Sequence, residues 1–324
     1  MIEPPVDRGP PTRAVLRLGG RMAERAREVL GGGAQPVEPR DAATVMLLRP
    51  ASSGRAAPGT GQAAPGTDQA VQREAGLGQA AAGQAGADCV EVYMLRRAPS
   101  MAFMPGAYVF PGGSVDPRDA GGDVAWAGPD AAEWASALAA PVHVARALVC
   151  AAVRETFEES GVLLAGPSAD RVVADTRGDD WEADRRGLLD RSLSLADLLA
   201  RRRLVLRTDL LMPWARWITP ATEERRYDTR FFAAALPAGQ RTRDVGGEAD
   251  QVAWVRPAEA IDAARRGEIR LMPPTAVTLA ELAACRDVPA ALAQRRPMTA
   301  VQPEVVQAED GVWLTLPAEL EYPL

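Results

Sequence analysis

The chain has 324 residues, 37 of them basic and 43 acidic, for a formal net charge of -6. Every basic residue is Arg, His143 is the one histidine, and Lys and Asn do not occur. Chemistry that needs a phosphate-loop Lys, a Schiff-base Lys, a zinc helix with paired His or an N-glycosylation acceptor is therefore excluded, whereas the abundant carboxylates leave metal-and-water chemistry open.

At roughly 150 residues per domain, the length suits two domains or one domain with insertions. A hydrophobic content of 47% suffices for a core. The acidic balance argues against nonspecific nucleic-acid or membrane-surface partners. Cys89, Cys150 and Cys285 lack CxxC spacing and fit reduced cytoplasmic thiols, so a cytoplasmic location is expected. The apolar stretch from Ala98 to Val115 is broken by Pro99, Pro105, Pro111, Gly106, Gly112 and Gly113, which rules it out as a membrane helix. The N-terminus, with Glu3 and Asp7, does not read as a signal peptide.

Taken in order, residues 1–40 read as a loosely held arm in which only Ala14 to Leu30 can form a helix, ended by Gly31-Gly32-Gly33. Ala42 to Leu48 reads as a buried strand and Val90 to Leu95 as its partner. Between them, residues 51–88 repeat AAPGT from Ala56 and from Ala63, and this composition predicts a disordered hairpin insertion. Ala107 to Phe110 is a short strand running into a glycine turn. Asp119 to Pro141 is a second weak segment. His143 to Ser160 reads as a helix capped by Gly161, and Val162 to Leu164 begins a further element. A helix over Leu195 to Arg203, strands over Trp214 to Ile218, Tyr227 to Ala235 and Gly247 to Val255, and helices over Pro257 to Arg266 and Ala276 to Ala284 follow. Gly311 to Leu316 reads as a last strand. The order predicts an α/β or α+β sandwich, a mixed sheet flanked by helices.

The chemistry concentrates on the helix His143 to Ser160. Glu155, Glu158 and Glu159 stand at i, i+3 and i+4, so three carboxylates leave one face within a turn. Like charges at that spacing repel, and Arg154 compensates only part of them. Hard Mg²⁺ or Mn²⁺ would supply the remainder. Val149, Val153 and Phe157 form the opposite, core-facing stripe. A solvated acidic face is the competing reading.

FPGG at Phe110 to Gly113, followed by RETFEESGV at Arg154 to Val162, resembles the Nudix box, G-x5-E-x7-R-E-U-x-E-E-x-G-U, of the Nudix hydrolases. Two departures stand out. Asp119 occupies the place of the family's first Glu, and residues 120–153, rather than seven residues, separate it from Arg154. A split box after FMPGAYVFPGG is similar to the branch that includes the coenzyme A diphosphatases of animal peroxisomes. AATV at Ala42, LRRAPSMAFMPG from Leu95, RRYDTRFF from Arg225 and LMPPT from Leu271 also match that branch.

The resemblance implies an α/β/α sandwich with a mixed sheet and C-terminal helices. It also implies a metal-dependent diphosphatase acting on a nucleoside diphosphate derivative: coenzyme A or acyl-coenzyme A first, ADP-ribose or a nucleotide sugar as the alternative, and a non-catalytic nucleotide-binding regulator as a third reading. By the same resemblance, the Gly112 carbonyl with Glu155, Glu158 and Glu159 would hold Mg²⁺ or Mn²⁺, and Arg154 would fix the glutamates by an ion pair. Family members often recruit a further acid from a distant loop, and Glu248 is the candidate for a metal ligand or base, against the alternative of an ordinary loop acid. Arg96 and Arg97 could clamp phosphates, as could Arg226 and Arg230; surface or structural Arg is the alternative for each. Phe103 either lines an apolar pocket or belongs to the core. The expected division is an arm at 1–40, the hydrolase domain at 41–285 with insertions at 51–88 and 120–141, and an extension at 286–324. The expected insertion at 120–141 loops out, leaving Gly112-Gly113 beside the N-terminal half of the metal helix. The expected partner is a small-molecule nucleotide, with no nucleic acid and no membrane, and a homodimer is left open. The ending EYPL is not a peroxisomal address, so that compartment is not expected.

Overall fold

The computed structural model describes residues 14–51, 90–101, 104–243 and 249–324. Residues 1–13 of the expected arm lie outside the described residues, and the first described elements are strand β1 (Ala14–Leu18) and helix α1 (Gly20–Leu30). The expected helix from Ala14 is thus corrected: AVLRL is extended, and the Gly19-Gly20 pair breaks it from the helix that follows. Strands β2 (Arg40–Pro50) and β3 (Val90–Arg97) pair antiparallel, with Leu48 opposite Val92. Apart from Ala51, the segment 51–88 read as an inserted hairpin lies outside the described residues.

Two short strands, β4 (Ala107–Val109) and β5 (Gly112–Ser114), lead to helix α2 (Pro117–Ala120), strand β6 (Trp126–Ala127), helix α3 (Ala131–Leu138) and the long helix α4 (Val142–Ser160). After β7 (Ala165–Gly166) come α5 (Asp179–Leu189), α6 (Leu195–Arg202), β8 (Val205–Arg207), β9 (Met212–Ile218), β10 (Tyr227–Ala235) and β11 (Ala249–Val255). The C-terminal part carries α7 (Pro257–Arg265), β12 (Arg270–Leu271), α8 (Pro273–Ala283), α9 (Val288–Leu292), β13 (Ala300–Val301), β14 (Glu304–Ala308) and β15 (Gly311–Thr315).

The main sheet runs β12-β4-β3-β2-β10-β9-β13, with β11 on β3 and β5 on β2. β2 and β10 are parallel and the pairs around them mostly antiparallel, so the sheet is mixed. Side chains alternate across it. Ala43, Val45 and Leu47 of β2, with Phe232 and Ala234 of β10, face one core, built with α3, α4, α5 and α6. Met46 and Leu48, with Phe231 and Ala233, face a second core under α7, α8 and α9. Burial on both faces explains why the two central strands read as nearly unbroken apolar runs. The architecture is the expected α/β/α sandwich. A smaller sheet, β1-β15-β14, ties the N-terminal strand to the C-terminal pair.

The segment between α2 and α4 does not loop out. Asp130 and Glu133 form a capping box at the start of α3, and β6 pairs parallel with β8. Trp134 and Leu138 are buried, with the Trp134 ring edge-on to Phe232 at 5.9 Å. Ala139, at φ 48, closes α3 in a left-handed turn, and α4 leaves at 91° to it. Among the described residues, no single helix is long and apolar enough to cross a membrane.

Candidate active site

From Ala147 to Glu158, helix α4 is enclosed. Val149, Val153 and Phe157 are fully buried toward the sheet, as their spacing predicts. Arg154, Glu155 and Glu158 on the other side are buried too, with side chains exposed by only 9%, 11% and 7%. A solvated acidic face would leave them open, so that reading fails.

Arg154 is the hub. Its Nε and Nη2 donate to Oδ1 and Oδ2 of Asp119 at 2.9 and 3.0 Å. Nη1 donates to Glu155 at 2.8 Å and to Glu158 at 3.1 Å, and Nη2 reaches the Ser114 carbonyl at 3.0 Å. The planar fork on a carboxylate fixes the guanidinium in one orientation. Asp119 in turn accepts from the Asp116 amide at 2.8 Å, closing a capping box on α2. The short helix ahead of the insertion therefore delivers the missing family Glu's carboxylate as an Asp, across a long stretch of sequence.

Glycine is required on the facing strand. A Cβ on Gly112 would stand 2.5 Å from the Ala43 carbonyl and 2.7 Å from the Thr44 Cα, and one on Gly113 would stand 2.4 Å from Oε1 of Glu155. The Gly112 amide donates to Oε2 of Glu159 at 2.9 Å. Ladder bonds from Val45 to the Pro111 carbonyl and from Val115 to the Asp41 carbonyl flank this strand. Antiparallel alternation then leaves Gly112 off the ladder, with its amide and carbonyl both turned away from β2. The two glycines lie against Glu155 and Glu159, which belong to the C-terminal half of α4, not the N-terminal half expected.

Electrostatics separate the groups. Burial pushes the Glu155 carboxyl above its ordinary 4.5, against the pull of Arg154 and with the repulsion of Glu158. Burial also raises Glu158, again opposed by Arg154. Burial works against the Arg154 charge, but the Asp119 hydrogen bonds and the surrounding carboxylates raise its pKa regardless. Three carboxylates (Asp119, Glu155 and Glu158) thus meet one guanidinium, with Glu159 beside them on the Gly112 amide. An all-oxygen donor set with surplus negative charge fits a hard divalent cation. Among the described residues, no three acidic, His or Cys side chains converge as a ready coordination shell; the carboxylates turn to Arg154 and to the Gly112 amide.

The expected phosphate clamps fare differently. Alternation along β3 puts Arg97 on the α4 side with Tyr93 and Leu95, and Arg96 on the opposite side with Met94. Arg96 forms a fork to Asp250 at 2.7 and 2.6 Å and lines a cavity of about 590 Å³ with Tyr108, Arg270 and Tyr322, across the sheet from the glutamates. It is therefore not part of this site. Arg226 is also corrected: it is buried and donates to the carbonyls of Val37 at 2.6 Å and Thr219 at 3.1 Å, which makes it a structural tie. Arg230 is buried as well, 2.7 Å from Asp228 and 3.6 Å from Asp41; its charge is committed to a strand-pairing network. Phe103 and Glu248 lie outside the described residues. Of the described residues on either side of Glu248 in sequence, Arg243 donates its amide to the Ser160 carbonyl at 3.1 Å, and Ala249 pairs with Arg97.

Sequence reasoning missed α5 and its Arg185, whose Nη1 donates to the Glu158 carbonyl at 2.9 Å. The signal was available: Asp179, Asp180 and Glu182 crowd the first turn, and Glu182 and Arg185 are three apart.

A family model described as the NUDT19 Nudix domain matches residues 128–282. Acyl-coenzyme A diphosphatase NUDT19 of Xenopus laevis is 28% identical over 279 residues, covering 72% of this chain and 71% of that protein. The protein of the same name from Gallus gallus is 28% identical over 235 residues, covering 59% of this chain and 61% of its own length. A NUDIX hydrolase crystal structure from Alicyclobacillus acidocaldarius matches with a TM-score of 0.58 and 25% identity, covering 81% of this chain and 99% of that one. With the sandwich and the glutamate helix already in place, these similarities support a Nudix hydrolase of the NUDT19 branch, an enzyme that acts on diphosphate bonds.

Proposed function

We propose that the protein is a metal-dependent diphosphatase of coenzyme A or acyl-coenzyme A, releasing adenosine 3′,5′-bisphosphate and the (acyl)phosphopantetheine. The observation that carries the reading is the buried pair Glu155 and Glu158 on Arg154, with the half-buried Glu159 beside them on the Gly112 amide. Relatives named acyl-coenzyme A diphosphatase support the substrate class.

In this reading the three glutamates and the Gly112 carbonyl hold Mg²⁺ or Mn²⁺. When bound, the metal supplies charge neutralisation for the diphosphate and an acidified water. Arg154, locked on Asp119, keeps Glu155 and Glu158 in register and does not itself touch substrate. Glu248, between the anchors at Arg243 and Ala249, serves as an additional ligand or as the group that takes the proton from water. Arg97, on the α4 side of β3, contacts the diphosphate.

The test is a panel of coenzyme A, acetyl-coenzyme A, ADP-ribose and a nucleotide sugar, each with Mg²⁺ and with Mn²⁺, using wild type and Glu158→Gln. The expected outcome is wild-type cleavage of the coenzyme A compounds above the others, lost with chelator and reduced at least 100-fold in Glu158→Gln, about the upper end for a disturbed metal shell. Preferential cleavage of ADP-ribose would replace the substrate assignment. Equal activity of Glu158→Gln would reject the site.

A further inference from the structure

The last turn of α4 ends beneath α5. The final carbonyls of a helix have no partner within its ladder, and here three of them are met individually. Phe157 O accepts from the Gly161 amide at 2.9 Å, Ser160 O from the Arg243 amide at 3.1 Å, and Glu158 O from Nη1 of Arg185 at 2.9 Å. Arg185 is the only side chain of the three donors, and it comes from a different helix. Its side chain is 4% exposed. Its Nε and Nη2 form a fork with Oε2 and Oε1 of Glu182 at 2.9 and 2.7 Å. One turn earlier, Trp181 stands edge-on to Phe157 at 6.1 Å, which docks α5 on α4.

We propose that Arg185 is a positioning residue for the metal-holding turn, fixing the backbone from which Glu158 and Glu159 project. The guanidinium meets three geometric demands at once: a fork for Glu182, a third donor for the carbonyl, and positive charge at a helix C-terminus. A solvent-facing pair that only decorated α5 would need none of this burial. Arg154 orders the glutamate side chains, and Arg185 orders the peptide between them. The inference rests on the proposed metal site and deepens it by naming a residue that sets its affinity from outside the coordination sphere.

The experiment measures Mn²⁺ binding to the full chain without substrate, following loss of the free-ion paramagnetic resonance signal, with circular dichroism to confirm folding. Arg185→Gln is expected to weaken Mn²⁺ binding about tenfold, the lower end of the effect of removing an outer partner of a metal site, and Arg185→Lys to recover part of that loss. A folded Arg185→Gln protein with wild-type affinity overturns the inference. If Arg185→Gln does not fold, Glu182→Gln, which keeps the donor and removes its anchor, gives the same readout: weaker binding supports the inference and unchanged binding overturns it. Wild-type protein that binds no Mn²⁺ overturns the metal-site reading together with it, whereas wild-type binding that no variant alters overturns this inference alone.

Discussion

Gly112 has little freedom to change. A methyl at Gly112 would meet Ala43 and Thr44 backbone atoms at 2.5 and 2.7 Å, which side-chain rotation cannot relieve. Gly112→Ala is expected to cost about 1–3 kcal/mol, the usual range for overpacking, measured by urea unfolding, and to lower activity by displacing β5 from Glu159. Glu155 behaves in the opposite way. Its carboxyl titrates above the ordinary 4.5 because burial penalises the charge, so the folded protein holds a proton that the unfolded chain has released. Stability of the metal-free protein should therefore rise as pH falls from neutral toward 4.5, and the ionised group should destabilise the fold above that window. Glu155→Gln is expected to melt higher than wild type at pH 8 without metal, to show a flatter pH dependence, and to lose activity. A lower melting temperature for the variant at pH 8 would show that the pair with Arg154 outweighs the burial cost.

The elements show what the sequence made legible. The strands at Ala42 to Leu48 and Tyr227 to Ala235, and the helix ending at Gly161, were readable because apolar spacing and a left-handed glycine cap act locally. The glutamate triplet was readable for the same reason: its face is set within one turn. Arg96 and Arg226 misled because an Arg side chain looks alike in sequence whether it meets phosphate or a protein carbonyl; the partner, Asp250 or Val37, lies far along the chain. The insertion misled because Ala, Gly and Asp dominate it, while its order depends on two capping boxes and one tryptophan. Trp134→Ala is accordingly expected to destabilise the protein by about 3–5 kcal/mol, typical of a buried aromatic truncation, in an equilibrium unfolding measurement. A value under 1 kcal/mol would mean that α3 is a passive loop. Helix α5 supplies a pH test. Hydrogen bonds from Arg185 hold Glu182 down at about 2, so its contribution is complete above the unfolded value of 4.5 and is lost as pH falls through about 2. Between those limits wild type should lose stability faster than Glu182→Gln, as monitored by thermal melts at successive pH values.

At the scale of the molecule, one sheet divides two cores, and the glutamates occupy only one side of it. The cavity holding Arg96 lies on the other side, so ligands there would not reach the diphosphate chemistry. The first described strand, β1, pairs with β15 near the C-terminus, with Leu18, Ala23, Ala26, Val312 and Leu314 as a small core of their own. Leu314→Ala should raise amide exchange in β1, β14 and β15 while leaving β2 and β10 protected; uniform loss of protection would show instead that the small sheet and the sandwich unfold as one unit. The central claim, that the glutamate helix and its glycine strand cleave the diphosphate of coenzyme A, is tested most directly by mass spectrometry of the products formed from coenzyme A by wild type with Mg²⁺. The account predicts adenosine 3′,5′-bisphosphate and phosphopantetheine in equal amounts; coenzyme A recovered intact, under conditions where ADP-ribose is split, would contradict it.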